Sequence, residues 1–191
     1  MTADRVVLGI SGASGTPLAV RTAEALADHV AVHTVVSDGA KAVMAHETDD
    51  REETLDRLAT VSEACYDEDE YGAAIASGTF QTAGMAVVPC SMNTLAKMAV
   101  GMSDTLLTRA AAVTMKEDRP LVVVPRESPM DEVHLENLHE MARRGATVVP
   151  PVLGFYYDPE DLDDVVDHVV GKILERFDLE FDAYRRWTGT E

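Results

Sequence analysis

Short apolar runs rich in β-branched residues alternate along the chain with longer segments of helical periodicity, and no other feature restricts the possible folds as much. Five such runs predict strands: Arg5–Ile10, Val30–Val36, Met85–Pro89, Leu121–Val124 and Ala146–Pro150. Apolar strands separated by helices are typical of a parallel sheet covered on both faces. With right-handed crossovers they predict a doubly wound, three-layer α/β/α sandwich of the Rossmann or flavodoxin-like class.

The segments between the strands predict helices. The first is expected to begin with Thr16 as N-cap and Pro17 at the first helical position. The other helices are predicted over Gly39–His46, Asp50–Ala64, Asn93–Val100, Asp104–Lys116, Asp131–Arg144 and Asp161–Phe177. Because the 191 residues contain no linker, repeat or low-complexity segment, we expect a single domain over residues 1–191. The tail with Tyr184 and Trp187 is predicted to dock on the core or on a neighbouring subunit.

The chain is strongly acidic, with a formal net charge of −18. Such a surface repels nucleic acid and anionic lipid, so neither is expected as a partner. The charge fits either an acidic patch for a basic partner or a solvated surface suited to high salt. The acids are spread over the chain, at Asp49–Asp50, Asp67–Glu70, Asp158–Asp164 and Asp178–Glu180. This dispersion favours the halophilic interpretation.

The sequence contains no apolar run of about 18 residues, so no membrane span is expected. The N-terminus enters an apolar run directly, without a basic region or a cleavage site, which predicts a cytoplasmic protein. Cys65 and Cys90 are each expected to be small buried residues rather than part of a metal cluster. The six histidines form no HExxH motif, and no metal is expected.

Candidate ligand-binding residues follow the strands, because ligands of an open parallel sheet bind beyond the carboxyl ends of its strands. The loop Ser11–Gly15 is rich in glycine and serine and leads into a helix, which suits a phosphate at the helix N-terminus. Its glycines do not follow the dinucleotide fingerprint, and a simple packing turn remains an alternative. Ser91, Asn93 and Thr94 repeat the pattern after another strand, where ordinary N-capping is the alternative. Together the two loops favour a phosphorylated mononucleotide.

A local group of cations accompanies the strand Leu121–Val124. Arg126 and Glu127 follow this strand closely, and Arg109, Lys116 and Arg119 precede it. In a chain with four lysines, this density indicates either a cradle for phosphate or pyrophosphate or a set of surface ion pairs. No Gly-x-Ser-x-Gly elbow supports a hydrolase.

Seven stretches of the sequence are similar to one known family over nearly the whole chain. They are GISGASG (9–15), ASGTF (76–80), PCSMNTLAKMAVG (89–101), DTLLTRAA (104–111), PRESPM (125–130), HLENL (134–138) and PPVLGFYYDP (150–159). In order and spacing the chain resembles the flavin prenyltransferases of the UbiX-like type. The resemblance implies an enzyme that needs no metal and joins the dimethylallyl group of dimethylallyl monophosphate to reduced FMN. The prenylated FMN would serve UbiD-type decarboxylases.

The resemblance also implies roles for individual residues. The FMN-binding set is Gly12, Ala13, Ser14, Ser37, Ser91, Met92, Asn93, Thr94 and Arg126. Tyr156 and Lys172 would hold the prenyl phosphate, with Lys116 and Arg126 close to it, and Arg109 belongs to the same cationic group. Glu47 and Glu127 would take part in proton transfers. The family implies a homo-oligomer, a dodecamer, with its sites at subunit interfaces.

Two other functions fit the same fold. An FMN-dependent cysteine-type decarboxylase would bind FMN but use it as an oxidant. A non-catalytic flavin carrier would store the cofactor for a partner enzyme. The cations Lys116, Arg126 and Lys172, together with Tyr156, favour the prenyltransferase, because a second phosphate site is expected for that activity alone.

Overall fold

The computed structural model describes residues 4–184 and 189. The strands are β1 (Arg5–Ile10), β2 (Ala31–Val36), β3 (Ala64–Asp67), β4 (Gly84–Cys90), β5 (Leu121–Pro125) and β6 (Thr147–Val148). The helices are α1 (Thr16–Ala27), α2 (Asp38–Glu47), α3 (Arg51–Val61), α4 (Met92–Ala99), α5 (Leu106–Lys116), α6 (Glu132–Arg143) and α7 (Leu162–Leu174). Short 3-10 turns lie at Ala74–Ala76 and Glu175–Phe177.

The described strands form one parallel sheet in the order β3-β2-β1-β4-β5-β6. This order reverses between β1 and β4, which is the doubly wound Rossmann arrangement with its switch point at the centre. The predicted three-layer α/β/α fold is therefore confirmed. Successive side chains of β1 point to opposite faces, so Val6 and Leu8 belong to one core and Val7 to the other.

The two cores define the two helical layers. The first core is formed with α1, α2, α3 and α7, and the second with α4, α5 and α6. All seven residues of β4 are buried, as expected for a central strand covered on both sides. The carboxyl ends of β1, β2, β4 and β5 consequently meet at one edge of the sheet, where the following loops lie side by side.

The sequence prediction missed β3. The predicted helix Asp50–Ala64 ends at Val61, and Ala64–Asp67 pairs with β2 instead. This edge strand alternates between half-buried and exposed residues and has no continuous apolar run, so its sequence does not differ from a polar helix end. Cys65 lies in β3 and is exposed, which contradicts the expected burial, whereas Cys90 is buried in β4 as expected.

The structure describes part of the C-terminal tail that was predicted to dock on the core or on a neighbouring subunit. Tyr184 is buried against α7, because a Cβ placed on Gly171 would lie 2.2 Å from the Tyr184 ring. Trp187 lies outside the described residues. Among the described helices, none is both long and apolar enough to cross a membrane.

Candidate active site

A cavity of about 260 Å³ opens at the carboxyl edge of the sheet. Three helices begin at its wall: α2 with N-cap Ser37, α4 with N-cap Ser91 and α5 with N-cap Thr105. Each N-terminus presents backbone N–H groups and the positive end of a helix dipole. Lys97 brings an ammonium group to the wall, where it pairs with Asp104 at 2.8 Å. The cavity therefore suits the phosphate of a mononucleotide.

The serine N-caps are held by short local hydrogen bonds. The Ala40 backbone N–H donates to Ser37 Oγ over 3.0 Å. The Thr94 backbone N–H donates to Ser91 Oγ over 3.2 Å, and the Ser91 N–H donates to Ser11 Oγ over 2.7 Å. Ser11 in turn donates to the Pro89 carbonyl, so this buried serine ties the loop after β1 to the loop after β4. The two loops that the sequence singled out are physically joined.

Gly12 brings the first loop into the cavity wall. A Cβ at this position would lie 2.8 Å from the backbone of Gly39 at the start of α2, closer than real Cβ atoms come. Glycine is therefore required where the two backbones cross. Glu68 also lines the cavity, and its Oε1 accepts a hydrogen bond of 3.1 Å from the Asp38 backbone N–H.

Glu47, rather than a ligand, occupies the N-terminus of α1. Its Oε2 accepts hydrogen bonds from the backbone N–H groups of Gly15 at 2.9 Å and Thr16 at 2.8 Å. Gly15 is the N-cap of α1 and Thr16 its first residue, so the predicted cap is shifted by one position. The shift is explained by the carboxylate of Glu47, which satisfies the donors that a side-chain cap would otherwise take. The phosphate position that the sequence suggested at α1 therefore faces a fixed negative charge.

The surroundings of Glu47 lower its pKa. Burial by itself would raise the pKa, but hydrogen bonds from the Ser14 side chain and from the Gly15 and Thr16 backbone outweigh it. Glu47 is consequently ionised at neutral pH and can accept a proton. Its carboxylate lies beside Ser14, one of the predicted FMN-binding residues.

Arg126 lies beside the same loop. It directly follows β5, its backbone N–H donates to the Cys90 carbonyl at 3.1 Å, and its Nε donates to the Ser14 carbonyl at 3.3 Å. Glu127 is exposed next to it and accepts a hydrogen bond from the Ser128 backbone N–H. The structure thus brings Ser14, Glu47 and Arg126 to one side of the carboxyl edge, next to the cavity that Gly12 lines.

The other predicted FMN-binding residues lie on the same loops. Ala13 is half-buried and Asn93 exposed, and Asn93 and Thr94 line the cavity. Met92 is different, because its side chain packs into the second core and leaves only its backbone for a ligand.

Tyr156, which precedes α7, and Lys172 of α7 form a separate cluster. Tyr156 Oη lies 3.3 Å from Nε2 of His168, and Lys172 Nζ lies 3.3 Å from Oε2 of Glu175. Lys172 also lies over the Tyr184 ring, 5.4 Å from its centroid. Phe177, just after α7, lies against Gly84 at the start of β4, so Lys172 is at the amino edge of the sheet.

Lys116 also lies at the amino edge. It ends α5, with four residues between it and the start of β5, and pairs with Glu117. Arg126 follows the far end of the same five-residue strand, about 17 Å away by strand geometry. One protomer therefore does not gather Lys116, Arg126, Tyr156 and Lys172 around one phosphate. Arg109 is placed elsewhere again, where its Nε donates to the Ala76 carbonyl at 3.2 Å.

A larger cavity of about 610 Å³ opens at the amino edge between the ends of α5, α6 and α7. The arginines in its wall have partners within the protein. Arg119 donates to the Phe80 and Gly78 carbonyls, Arg144 donates to the Met98 carbonyl, and Arg176 pairs with Glu175. None of the described α-helices begins at the wall of this cavity, so its size alone does not make it the functional site.

Sequence reasoning missed part of the cavity wall, namely Gly39, Glu68, Lys97, Thr105, Leu107 and Thr108. Thr105 and Thr108 form a capping box at the start of α5, which a threonine followed three residues later by another threonine could have indicated. This helix does not follow a strand directly, so inspection of the strand-end loops alone passes over it.

Comparison with known proteins identifies the class to which this fold and site belong. The Flavoprotein family model matches residues 1–174, and the chain belongs to that family. It is 46% identical over 187 residues to the flavin prenyltransferase LpdB of Lactiplantibacillus plantarum, covering 97% of this chain and 98% of that protein. Within the family, the chain is thus similar over nearly its full length to a flavin prenyltransferase.

Solved structures agree with this placement. AnUbiX (PadA1), solved with FMN and dimethylallyl pyrophosphate, superposes with a TM-score of 0.93 at 38% identity, covering 99% of this chain and 100% of that one. A dodecameric FMN-dependent UbiX-like decarboxylase from Escherichia coli O157:H7 gives 0.92 at 42% identity, covering 97% and 100%. The cysteine decarboxylase TvaF is 15% identical with a TM-score of 0.64, which shows a shared fold alone.

Proposed function

We propose that this protein is a flavin prenyltransferase, which joins the dimethylallyl group of dimethylallyl monophosphate to reduced FMN. The observation that carries the proposal is the cavity at the carboxyl edge, which three helix N-termini, Gly12 and Lys97 line. Glu47 and Arg126 contact Ser14, two residues after Gly12 in the same loop. The high identity to flavin prenyltransferases over the full chain supports it.

The donors in the cavity fit the phosphate of FMN. Ser37, Ser91, Thr94 and the backbone N–H groups of α2, α4 and α5 would hold it, with Lys97 balancing its charge. The predicted residues Ala13, Ser14, Asn93 and Arg126 would contact the rest of the molecule along the loops. When bound, reduced FMN supplies the nucleophilic ring atoms of the reaction.

Glu47 is suited to accept the proton that ring closure releases. Its carboxylate is ionised, is held by backbone N–H groups, and lies beside the loop that borders the flavin site. A base that is already fixed in place needs little reorganisation when the proton moves. Glu127, at the adjacent strand end, is the second candidate for proton transfer.

The phosphate of the donor requires cations, because negative charge grows on it as the allylic bond breaks. Arg126 lies at the carboxyl edge, whereas Lys116 and Lys172 lie at the amino edge of the same protomer. We therefore place the site between subunits, with Arg126 from one protomer and Lys116, Tyr156 and Lys172 from its neighbours. Several large apolar side chains near Tyr156 in the sequence are exposed, which supports an interface there. They are Val152, Leu153, Phe155 and Leu162.

The proposal also covers the oligomeric state of the protein, its cellular location and the enzyme that receives its product. The likeness to a dodecameric structure supports a homo-oligomer, and specifically a dodecamer. A cytoplasmic protein of one domain that delivers prenylated FMN to a UbiD-type decarboxylase is consistent with the acidic surface.

The test is a direct assay of the flavin product. The protein is incubated without oxygen with reduced FMN and dimethylallyl monophosphate, and the flavin is weighed by mass spectrometry. We expect a flavin heavier by one dimethylallyl group less a hydrogen, with release of inorganic phosphate. Bound but unchanged FMN would favour the flavin carrier, and decarboxylation of a cysteine-containing peptide would favour the cysteine-type decarboxylase.

A further inference from the structure

His168 is a residue of α7, and its side chain lies among three tyrosines from outside this helix. Its ring stacks on Tyr157, with centroids 4.5 Å apart and planes at 9°, and it meets Tyr156 and Tyr184 edge-on. Its Nε2 lies 3.3 Å from the hydroxyl oxygen of Tyr156. Lys172 follows one helical turn later on the same face. His168 therefore touches one expected phosphate ligand and is adjacent to the other.

The environment of the other ring nitrogen fixes the hydrogen-bond direction. Nδ1 of His168 is buried and has no hydrogen-bond partner among the described residues. A proton on Nδ1 would bury an N–H without an acceptor, which is rarer in proteins than an acceptor without a donor. The ring proton therefore belongs on Nε2, from which it is donated to Tyr156 Oη.

The surroundings of the ring also favour its neutral form. Burial lowers the pKa of His168, and the nearby charge of Lys172 lowers it further, against an opposing effect of Glu175. A neutral ring avoids placing a second cation beside Lys172. Packing alone would be served equally well by a phenylalanine, so the polar ring at this position calls for a function in hydrogen bonding.

We propose that His168 is a positioning residue, which fixes the Tyr156 hydroxyl so that its hydrogen points toward the phosphate of the allylic donor. A hydroxyl that accepts from Nε2 has a defined orientation, and its own hydrogen is directed to a second acceptor. Donation from the imidazole also polarises the hydroxyl and strengthens the bond that it donates. The proposal rests on the proposed function, in which Tyr156 and Lys172 hold that phosphate.

Two substitutions separate positioning from packing. His168→Phe keeps an aromatic ring for the stack on Tyr157 but has no N–H. His168→Gln loses the ring but can place its side-chain amide near the position of Nε2 and restore the donor. Positioning predicts that the glutamine variant retains more donor affinity than the phenylalanine variant, and packing predicts the reverse order.

The experiment measures binding of dimethylallyl monophosphate to the FMN-loaded protein by calorimetry, together with single-turnover prenylation at varied donor concentration. We expect His168→Phe to weaken donor binding about fivefold to tenfold, the size of one lost hydrogen bond. FMN affinity and the melting temperature should stay close to those of the wild type. His168→Gln should recover most of the lost affinity.

A double-mutant cycle with Tyr156→Phe completes the test. If His168 acts through the tyrosine hydroxyl, the double variant His168→Phe/Tyr156→Phe binds the donor no worse than Tyr156→Phe alone. Additive losses, or wild-type donor affinity in His168→Phe, would overturn the proposal. A wild-type protein that binds the donor without forming product would overturn the proposed function instead, while the binding cycle still decides the role of His168.

Discussion

At the scale of single residues, Glu47 connects the fold to the chemistry. Its carboxylate takes the backbone donors at the start of α1, a position that binds phosphate in many sheets of this kind. The fold thus holds a fixed negative charge at the start of α1, which leaves the neighbouring helix ends as the proposed position of the phosphate. Ionisation of Glu47 follows from these bonds, since they lower its pKa against the effect of burial.

We expect Glu47→Gln to slow prenylation by about 10²-fold to 10⁴-fold, the usual contribution of a general base. FMN affinity should change little, because the phosphate is held by other groups. Single-turnover kinetics and a flavin titration measure the two quantities, with Glu63→Gln, an exposed acid at the start of β3, as a matched control. A rate within threefold of the wild type would exclude Glu47 as the base.

The same substitution has a predicted pH signature. Because the pKa of Glu47 is lowered in the folded protein, its contribution to stability is present above the ordinary carboxyl pKa of about 4.3 and is lost as pH falls through the lowered value. The melting temperature of the wild type should therefore exceed that of Glu47→Gln by a constant amount from pH 8 to about 5. Below that range the difference should shrink. A difference that grows toward acid would contradict the lowered pKa.

At the scale of elements, the N-termini of α2, α4 and α5 converge on one cavity, and Lys97 supplies the charge. Lys97 Nζ also pairs with Asp104 Oδ2 at 2.8 Å, which holds the ammonium group near the start of α5. In the proposed function this arrangement would bind the phosphate and not the flavin ring. Comparison of FMN with riboflavin, which lacks the phosphate, isolates this contribution.

We predict that Lys97→Ala weakens FMN binding about tenfold to a hundredfold, the value of one charge-assisted hydrogen bond, and leaves riboflavin affinity unchanged. Lys41→Ala is the matched control, since Lys41 is similarly buried and ion-paired with Asp67 but does not line the cavity. Fluorescence titration of wild type and variants with both flavins gives the loss of affinity for FMN relative to the loss for riboflavin. An equal loss for the two flavins would mean that Lys97 supports the fold rather than the phosphate.

Most elements could be predicted from sequence because their signals are local. The central strands are continuous apolar runs, and Ser37 and Ser91 cap helices directly after them. The edge strand β3 could not be predicted, because it is half exposed and its pairing with β2 is a tertiary contact. The Glu47 cap joins residues more than thirty positions apart, so no local pattern reveals it. The separation of Lys116 from Arg126, by contrast, follows from the sequence, because the predicted strand Leu121–Val124 lies between them.

At the scale of the whole molecule, the separation of Arg126 from Lys172 means that the proposed active site depends on assembly. If the two residues contact one phosphate from different protomers, each site needs Arg126 from one subunit and Lys172 from another. Arg126→Ala removes the first contribution, and Lys172→Ala removes the second. Co-refolding an equal mixture of the two variants should restore up to about a quarter of wild-type activity, since each position is wild type in half of the protomers. The double variant Arg126→Ala/Lys172→Ala, refolded alone, gives the background. No recovery in assembled mixtures would place both residues in one protomer's site.

The net charge of −18 also acts on the whole molecule, through repulsion among acids spread over its surface. Salt shortens the range of this repulsion from about 30 Å at 0.01 M to about 3 Å at 1 M. We therefore expect the melting temperature to rise by roughly 5 °C or more between dilute buffer and molar NaCl, which corresponds to a gain of about 2 kcal/mol for a domain of this size.

A variant in which the exposed acids Asp28, Asp69 and Glu180 are neutralised, as Asp28→Asn/Asp69→Asn/Glu180→Gln, should be more stable than the wild type in dilute buffer and gain less from salt. Differential scanning fluorimetry of both proteins across the salt series measures this. Equal salt responses, or a melting temperature that does not change with salt, would contradict the halophilic interpretation.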